Sequence, residues 1–174
     1  FELTLTDKGG HSSIPTAANP IHRLAGALAR IGAHAFPLRT NETTRGYFAA
    51  MADYEPNATL ASDMRALGQA PMDAAAASRV AAASPYYNAL LRTTCVATEI
   101  KGGHAENALP QLARATVNCR IHPDESADAV ESTLKSLAAE PALAIARKDS
   151  YRPSPASPLR DDLVGPIATI GQKM

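Results

Sequence analysis

A chain of 174 residues with 17 basic and 17 acidic side chains has no formal net charge. Its basic residues are scattered rather than clustered, which leaves no electrostatic footprint for nucleic acid or a membrane surface. No apolar run approaches the roughly 20 residues that a bilayer span requires, and the length fits one ordinary domain, or one with appendages, able to bury a core.

The chain opens on Phe1-Glu2-Leu3-Thr4-Leu5-Thr6, apolar alternating with polar, the period of a half-buried strand. Gly9-Gly10-His11-Ser12-Ser13-Ile14-Pro15 follows. The glycines permit crowded or left-handed backbone and the proline stiffens the exit, so His11 is held on a shaped turn between strand and helix. The absence of a Walker pattern and of full G-x-G-x-x-G spacing argues against a phosphate-cradling loop. Considered alone, a loop histidine is more often merely solvated. Asn19-Pro20 can cap and start a helix. Ile21, Leu24, Leu28 and Ile31 recur at steps of three and four and predict an amphipathic helix from about Asn19 to His34. Pro37 stops it, and His22 lies off the apolar stripe.

From about 41 to 92 the composition turns alanine-rich and helical, with Gly68, Pro71 and Pro85 as breaks. A helical insertion of three or four short segments is predicted, one carrying Leu60, Met64 and Leu67 behind Asn57 or Thr59 as a cap. Thr93 to Lys101 reads as a strand, as does the stretch in which Ala113, Ala115, Val117, Cys119 and Ile121 alternate with Arg114, Thr116, Asn118 and Arg120. One face of the second strand is therefore apolar and the other carries two arginines. Gly102 to Pro110, between them, is too long for a two-residue hairpin and reads as a shaped loop. Asp124 or Ser126 can cap a helix burying Ala127, Val130, Leu134 and Leu137, which ends near Pro141, and Ala142 to Arg147 gives a short last strand.

Strand, helix, insertion, strand, strand, helix, strand is the order of an α+β, ferredoxin-like βαββαβ two-layer sandwich: a four-stranded antiparallel sheet with two helices on one face, plus the α-helical insertion. Tyr151 to Pro158 holds three prolines in eight residues and reads as a linker. Beyond it, Leu163, Val164, Ile167 and Ile170 resume a helical pattern with nothing obvious in the chain to pack against. A start at Phe1 in mid-strand and an end at Met174 in mid-helix suggest a piece excised from a longer protein, which leaves its compartment open, cytoplasmic or periplasmic or secreted.

Cys95 and Cys119 fall in separate predicted strands and form neither a C-x-x-C motif nor a disulfide framework, so two small buried apolar side chains are expected. The five histidines, His11, His22, His34, His104 and His122, show no H-E-x-x-H and no carboxylates at ligand spacing, hence no complete metal site. Asn41-Glu42-Thr43 and Asn57-Ala58-Thr59 fit the glycosylation pattern, which arises often by chance.

Four motifs occur in one order: Gly10-His11-Ser12-Ser13-x-Pro15 after a strand, Asn19-Pro20-Ile21 opening a helix, Gly102-Gly103 leading to Asn107-Ala108-Leu109-Pro110, and Val117-Asn118-Cys119-Arg120 closing a strand. On these the chain, over about residues 1 to 150, resembles the lid, or dimerisation, domain of the di-zinc metallopeptidases. That family includes carboxypeptidase G, succinyl-diaminopimelate desuccinylase, the aminoacylases and carboxypeptidase S. The long insertion and the Thr93-Thr94 strand look most like the carboxypeptidase S and N-acyl-amino-acid hydrolase branch.

The resemblance implies a parent hydrolase that cleaves an amide or peptide bond beside a free carboxylate. Its two Zn²⁺ ions would lie in a separate catalytic domain to which residues 151–174 return, with none in this fragment, which alone would be inactive. It implies a homodimer formed through the lid and a peptide or N-acyl amino acid as substrate. By motif, His11 corresponds to the catalytic histidine that reaches the partner subunit's site and stabilises the oxyanion, as an imidazole N–H can. Asn107 and Arg120 correspond to the residues that bind the substrate carboxylate, for which a planar guanidinium is suited. His104 would be a specificity residue, and Ala108 is smaller than the branched residue usual in that loop. Two alternatives remain: a stand-alone ferredoxin-like dimeric module sensing a small carboxylate ligand, and a purely structural dimerisation unit.

Overall fold

The computed structural model describes residues 1–148 and 154–171. They divide into two compact units, one built from Phe1–Phe36 with the segment that starts at Thr93, the other from Pro37–Arg92 with the segment that starts at Ser154. The predicted linker therefore lies partly outside the described residues; its described part, 154–160, has no regular structure.

The first unit is the expected sandwich. Strand β1 (Glu2–Thr6) is followed by the two-residue β2 (Gly10–His11), helix α1 (Pro20–Ala33), and, after the insertion, β3 (Thr94–Gly102), the two-residue β4 (Ala108–Leu109), β5 (Leu112–Arg120), α6 (Ala127–Ala138) and β6 (Ala144–Ala146). The main sheet runs β3-β5-β1-β6, all antiparallel, and β2 pairs with β4 in a second small sheet. Period-two alternation sorts the faces: Leu3, Leu5, Ala113, Ala115 and Val117 are buried, while Glu2, Thr4, Arg114 and Arg120 occupy the alternate positions. The buried face packs on Leu24, Ala27 and Ile31 of α1 and on Val130, Leu134 and Ala138 of α6. Asn19 caps α1 by accepting from the Ile21 amide at 2.9 Å, with Pro20 at the first turn; Ser126, rather than Asp124, caps α6.

The helices are tied at the end of α6. The Arg30 Nε donates to the Leu137 carbonyl at 3.0 Å, and its Nη2 donates to the Ala138 carbonyl, so a side chain of α1 satisfies carbonyls that α6 leaves open. Arg23 donates to both Glu140 oxygens, one at 2.8 Å from Nε. That guanidinium holds the Glu140 carboxyl below its ordinary range.

The cysteines correct the sequence expectation: Cys95 and Cys119 form a disulfide, with Cα atoms 4.1 Å apart. They are directly opposed in the β3–β5 register, and half-buried against the core. Alternation assigns a residue to a face but says nothing of which residue it meets on the next strand.

The second unit carries α2 (Glu42–Met51), α3 (Ala58–Leu67), α4 (Ala74–Ala83), α5 (Pro85–Leu91) and α7 (Asp161–Gly171). Asn41, Asn57, Asp73 and Ser84 cap the first four by accepting backbone amides, which gives both asparagines of the glycosylation-like triplets a structural role. Phe48, Met64, Leu67, Val80 and Leu91 form this unit's core. Phe48 meets Tyr87 edge-on at 5.7 Å between ring centroids. Arg79 pairs bidentately with Asp63 at 2.6 and 2.8 Å and pulls its carboxyl down from the usual range. The apolar stripe of α7 is exposed, Leu163, Val164, Ile167 and Ile170 each keeping 49–68% of their surface. No helix among the described residues is long and apolar enough to cross a membrane.

Candidate functional site

Backbone pairing makes the His11 turn. Gly10 and His11 pair with Leu109 and Ala108, and the Ser12 amide donates to the Asn107 carbonyl at 3.0 Å. The sheet thus joins two motifs nearly 100 residues apart in the chain. Gly9 is required here: its φ is +73°, and a Cβ would lie 2.6 Å from Cγ of Gln111. The buried Leu109 and Pro110 anchor the second arm of the turn.

The His11 ring is exposed and oriented by one neighbour. Its Nδ1 accepts from the Ser13 amide at 3.2 Å and lies 2.7 Å from the Ser13 hydroxyl oxygen. A backbone amide can only donate, so in the neutral ring Nδ1 is the acceptor and the proton resides on Nε2. This leaves an N–H directed outward, the form that a donor to developing oxyanion charge needs.

Asn107 is exposed beside His11, and its side-chain amide makes no hydrogen bond among the described residues. Arg120 is exposed and forms no ion pair among the described residues, but it sits elsewhere. It closes β5 opposite Thr94, whereas the Asn107 loop leads into the other end of that strand at Leu112. Eight steps at about 3.4 Å place the two ends roughly 27 Å apart. The structure therefore brings His11 and Asn107 together and separates both from Arg120.

His104 faces a cavity of 350 Å³ with Lys101, Gln111 and Arg114, an assembly that sequence reading did not identify. Lys101 and Arg114 are paired across β3 and β5; Arg114 was legible as one of two arginines on a strand face, but the lysine opposite it depends on register.

The family profile described as "Peptidase dimerisation domain" matches residues 1–146. The chain belongs to the peptidase dimerisation domain family. It is 31% identical over 166 residues to the N-fatty-acyl-amino acid synthase/hydrolase PM20D1 of Xenopus tropicalis, covering 91% of this chain and 30% of that protein. To the human protein of the same name it is 29% identical, covering 94% of this chain and 32% of the relative. To the probable carboxypeptidase S-like 2 of Dictyostelium discoideum it is 31% identical, covering 72% of this chain and 23% of the relative. The dimerisation domain thus spans a third or less of the length of these relatives. The solved M20 family metallo-carboxypeptidase of Sulfolobus solfataricus shares the fold, with a TM-score of 0.50, 20% identity, and coverage of 82% of this chain and 40% of that one.

The resemblance to di-zinc metallopeptidases raises the question of metal ligands within this dimerisation domain. Among the described residues no group of three or more His, Cys, Asp and Glu side chains is placed to hold a metal ion. The two zinc ions implied by the resemblance find no donor set among these described side chains.

Proposed function

We propose that this domain is the lid and dimer interface of a zinc-dependent hydrolase acting on N-acyl amino acids or peptides, and that its half-sites act across the dimer. Residues 1–150 form the lid in this reading, and 151–174 lead back to the catalytic domain that would hold the zinc ions. The relatives named for N-fatty-acyl-amino acid hydrolysis and for carboxypeptidase activity support the substrate class. His11 supplies the Nε2–H to the oxyanion, and Asn107 and Arg120 contact the substrate carboxylate.

The observation that carries the proposal is the separation of His11 and Asn107 from Arg120 along β5. No small substrate reaches both ends of one lid. Strand β3 resolves the difficulty, because it is a nine-residue sheet edge with Val96 and Ile100 exposed, whereas the opposite edge, β6, has three residues. Unpaired edges of that length and hydrophobicity call for a partner. Pairing β3 with its copy across a two-fold axis is antiparallel, so the Gly102 end of one lid lies beside the Thr94 end of the other. His11 and Asn107 of one protomer then approach the end of the partner lid where that lid's arginine sits. A ligand-sensing module has no such need for two half-sites at opposite ends of one sheet.

The test is His11→Ala in the full-length protein carrying this chain. Removing one oxyanion donor is expected to lower kcat by about 100- to 1,000-fold, with zinc content and dimer mass unchanged. Unaltered turnover would remove His11 from the chemistry.

A further inference from the structure

We propose that the cavity lined by Lys101, His104, Gln111 and Arg114 is an anion site that takes the oxyanion group of a small molecule, a carboxylate or a phosphate. The inference does not rest on the hydrolase reading, and it concerns the open face of the sheet beneath the loop that carries Asn107. Lys101 and Arg114 are directly opposed across β3 and β5, on the face away from the helices. Two like charges so placed repel, and a sheet ordinarily sets an opposite charge there.

The neighbouring carboxylates leave the Lys101 charge uncompensated. Glu2 forms an ion pair with Arg114 at 3.7 Å, outside hydrogen-bond contact, and so offsets part of that charge from the strand on the far side of Arg114, away from Lys101. Glu99, next on that face of β3, accepts from the Thr116 hydroxyl at 3.0 Å and lies 3.9 Å from the Lys148 ammonium. Glu106 is in the loop but does not line the cavity. Lys101 has no hydrogen-bond or ion-pair partner among the described residues.

The space is shaped for a small group. Gly102 and Gly103 put no side chain between Lys101 and the His104 ring, and Gly103 turns the chain with φ +78°. Gln111 closes the other side, fixed by donating from Nε2 to the Lys8 carbonyl at 3.1 Å. A lysine and an arginine that line one hollow of 350 Å³ can bring an ammonium and a guanidinium to a group with two or more oxygens.

The test uses the 174-residue chain, isotopically labelled, titrated separately with acetate and with inorganic phosphate at constant ionic strength while amide and His104 ring resonances are followed. Saturable shifts confined to Lys101, Gly103, His104, Gln111 and Arg114 are expected for at least one anion. The tighter of the two identifies the source, a carboxylic acid or a phosphate compound. Lys101→Gln should weaken that binding by roughly tenfold, while Lys101→Arg, which keeps the charge, retains it. Removing a distant charge with Lys135→Gln should change nothing. Shifts that rise linearly and spread over the surface, or equal affinity in Lys101→Gln and the parent chain, would overturn the assignment.

Discussion

At His11 the Ser13 amide occupies Nδ1, so the neutral ring has one hydrogen left to donate, at Nε2. The turn and its histidine were legible because glycine, proline and a strand-to-helix switch punctuate the sequence at that point. The tautomer was not legible, since it depends on a backbone amide two residues on and on how the turn closes. A quieter residue-scale feature lies at the end of α6, where Ala139 adopts φ 44° and ψ 41°. That left-handed position ordinarily belongs to glycine and costs an L-residue roughly 1–2 kcal/mol. Ala139→Gly is therefore expected to stabilise the chain by about 1 kcal/mol, read as a rise in denaturant midpoint; an unchanged or lower midpoint would mean that the Arg30 contacts already absorb the strain.

At the scale of elements, hydrophobic period was enough to place β1, β5, α1 and α6 and to assign their buried faces. Register was beyond it, and three features depend on register: the small β2–β4 sheet, the Lys101–Arg114 opposition and the Cys95–Cys119 bond. The disulfide joins β3 to β5 just after the chain returns from the insertion, closing a loop with a sequence separation of 24. Constraining the unfolded chain over such a loop contributes about 3 kcal/mol. Replacing both cysteines by serine, or adding a dithiol reductant, should lower stability by about that amount in denaturant titrations; coincident curves with and without reductant would contradict it.

Over the whole molecule, the sequence order of strands and helices sufficed for the ferredoxin-like sandwich, and the alanine-rich stretch for a helical insertion. That the insertion has its own core around Phe48 and Met64 depends on contacts between short helices whose individual periodicity is weak. The grouping of residues from Ser154 onward with that unit was not foreseen either, because the exposed stripe of α7 carries no sequence mark of its neighbours. Motifs single out the candidate residues one by one but not their arrangement: period alone does not tell that Asn107 and Arg120 sit at opposite ends of one sheet. Under the roles proposed for His11 and Arg120, that arrangement requires the dimer, rather than the chain, as the catalytic unit.

The most direct test is subunit complementation in the full-length protein. His11→Ala and Arg120→Ala variants, each nearly inactive alone, are mixed in equal amounts, dissociated and reassembled. If each site takes its histidine from one subunit and its arginine from the other, half of the dimers are mixed and each holds one intact site, so about a quarter of wild-type activity returns. If both residues serve the same subunit's site, the mixture stays as inactive as its parents, and the cross-dimer account is wrong.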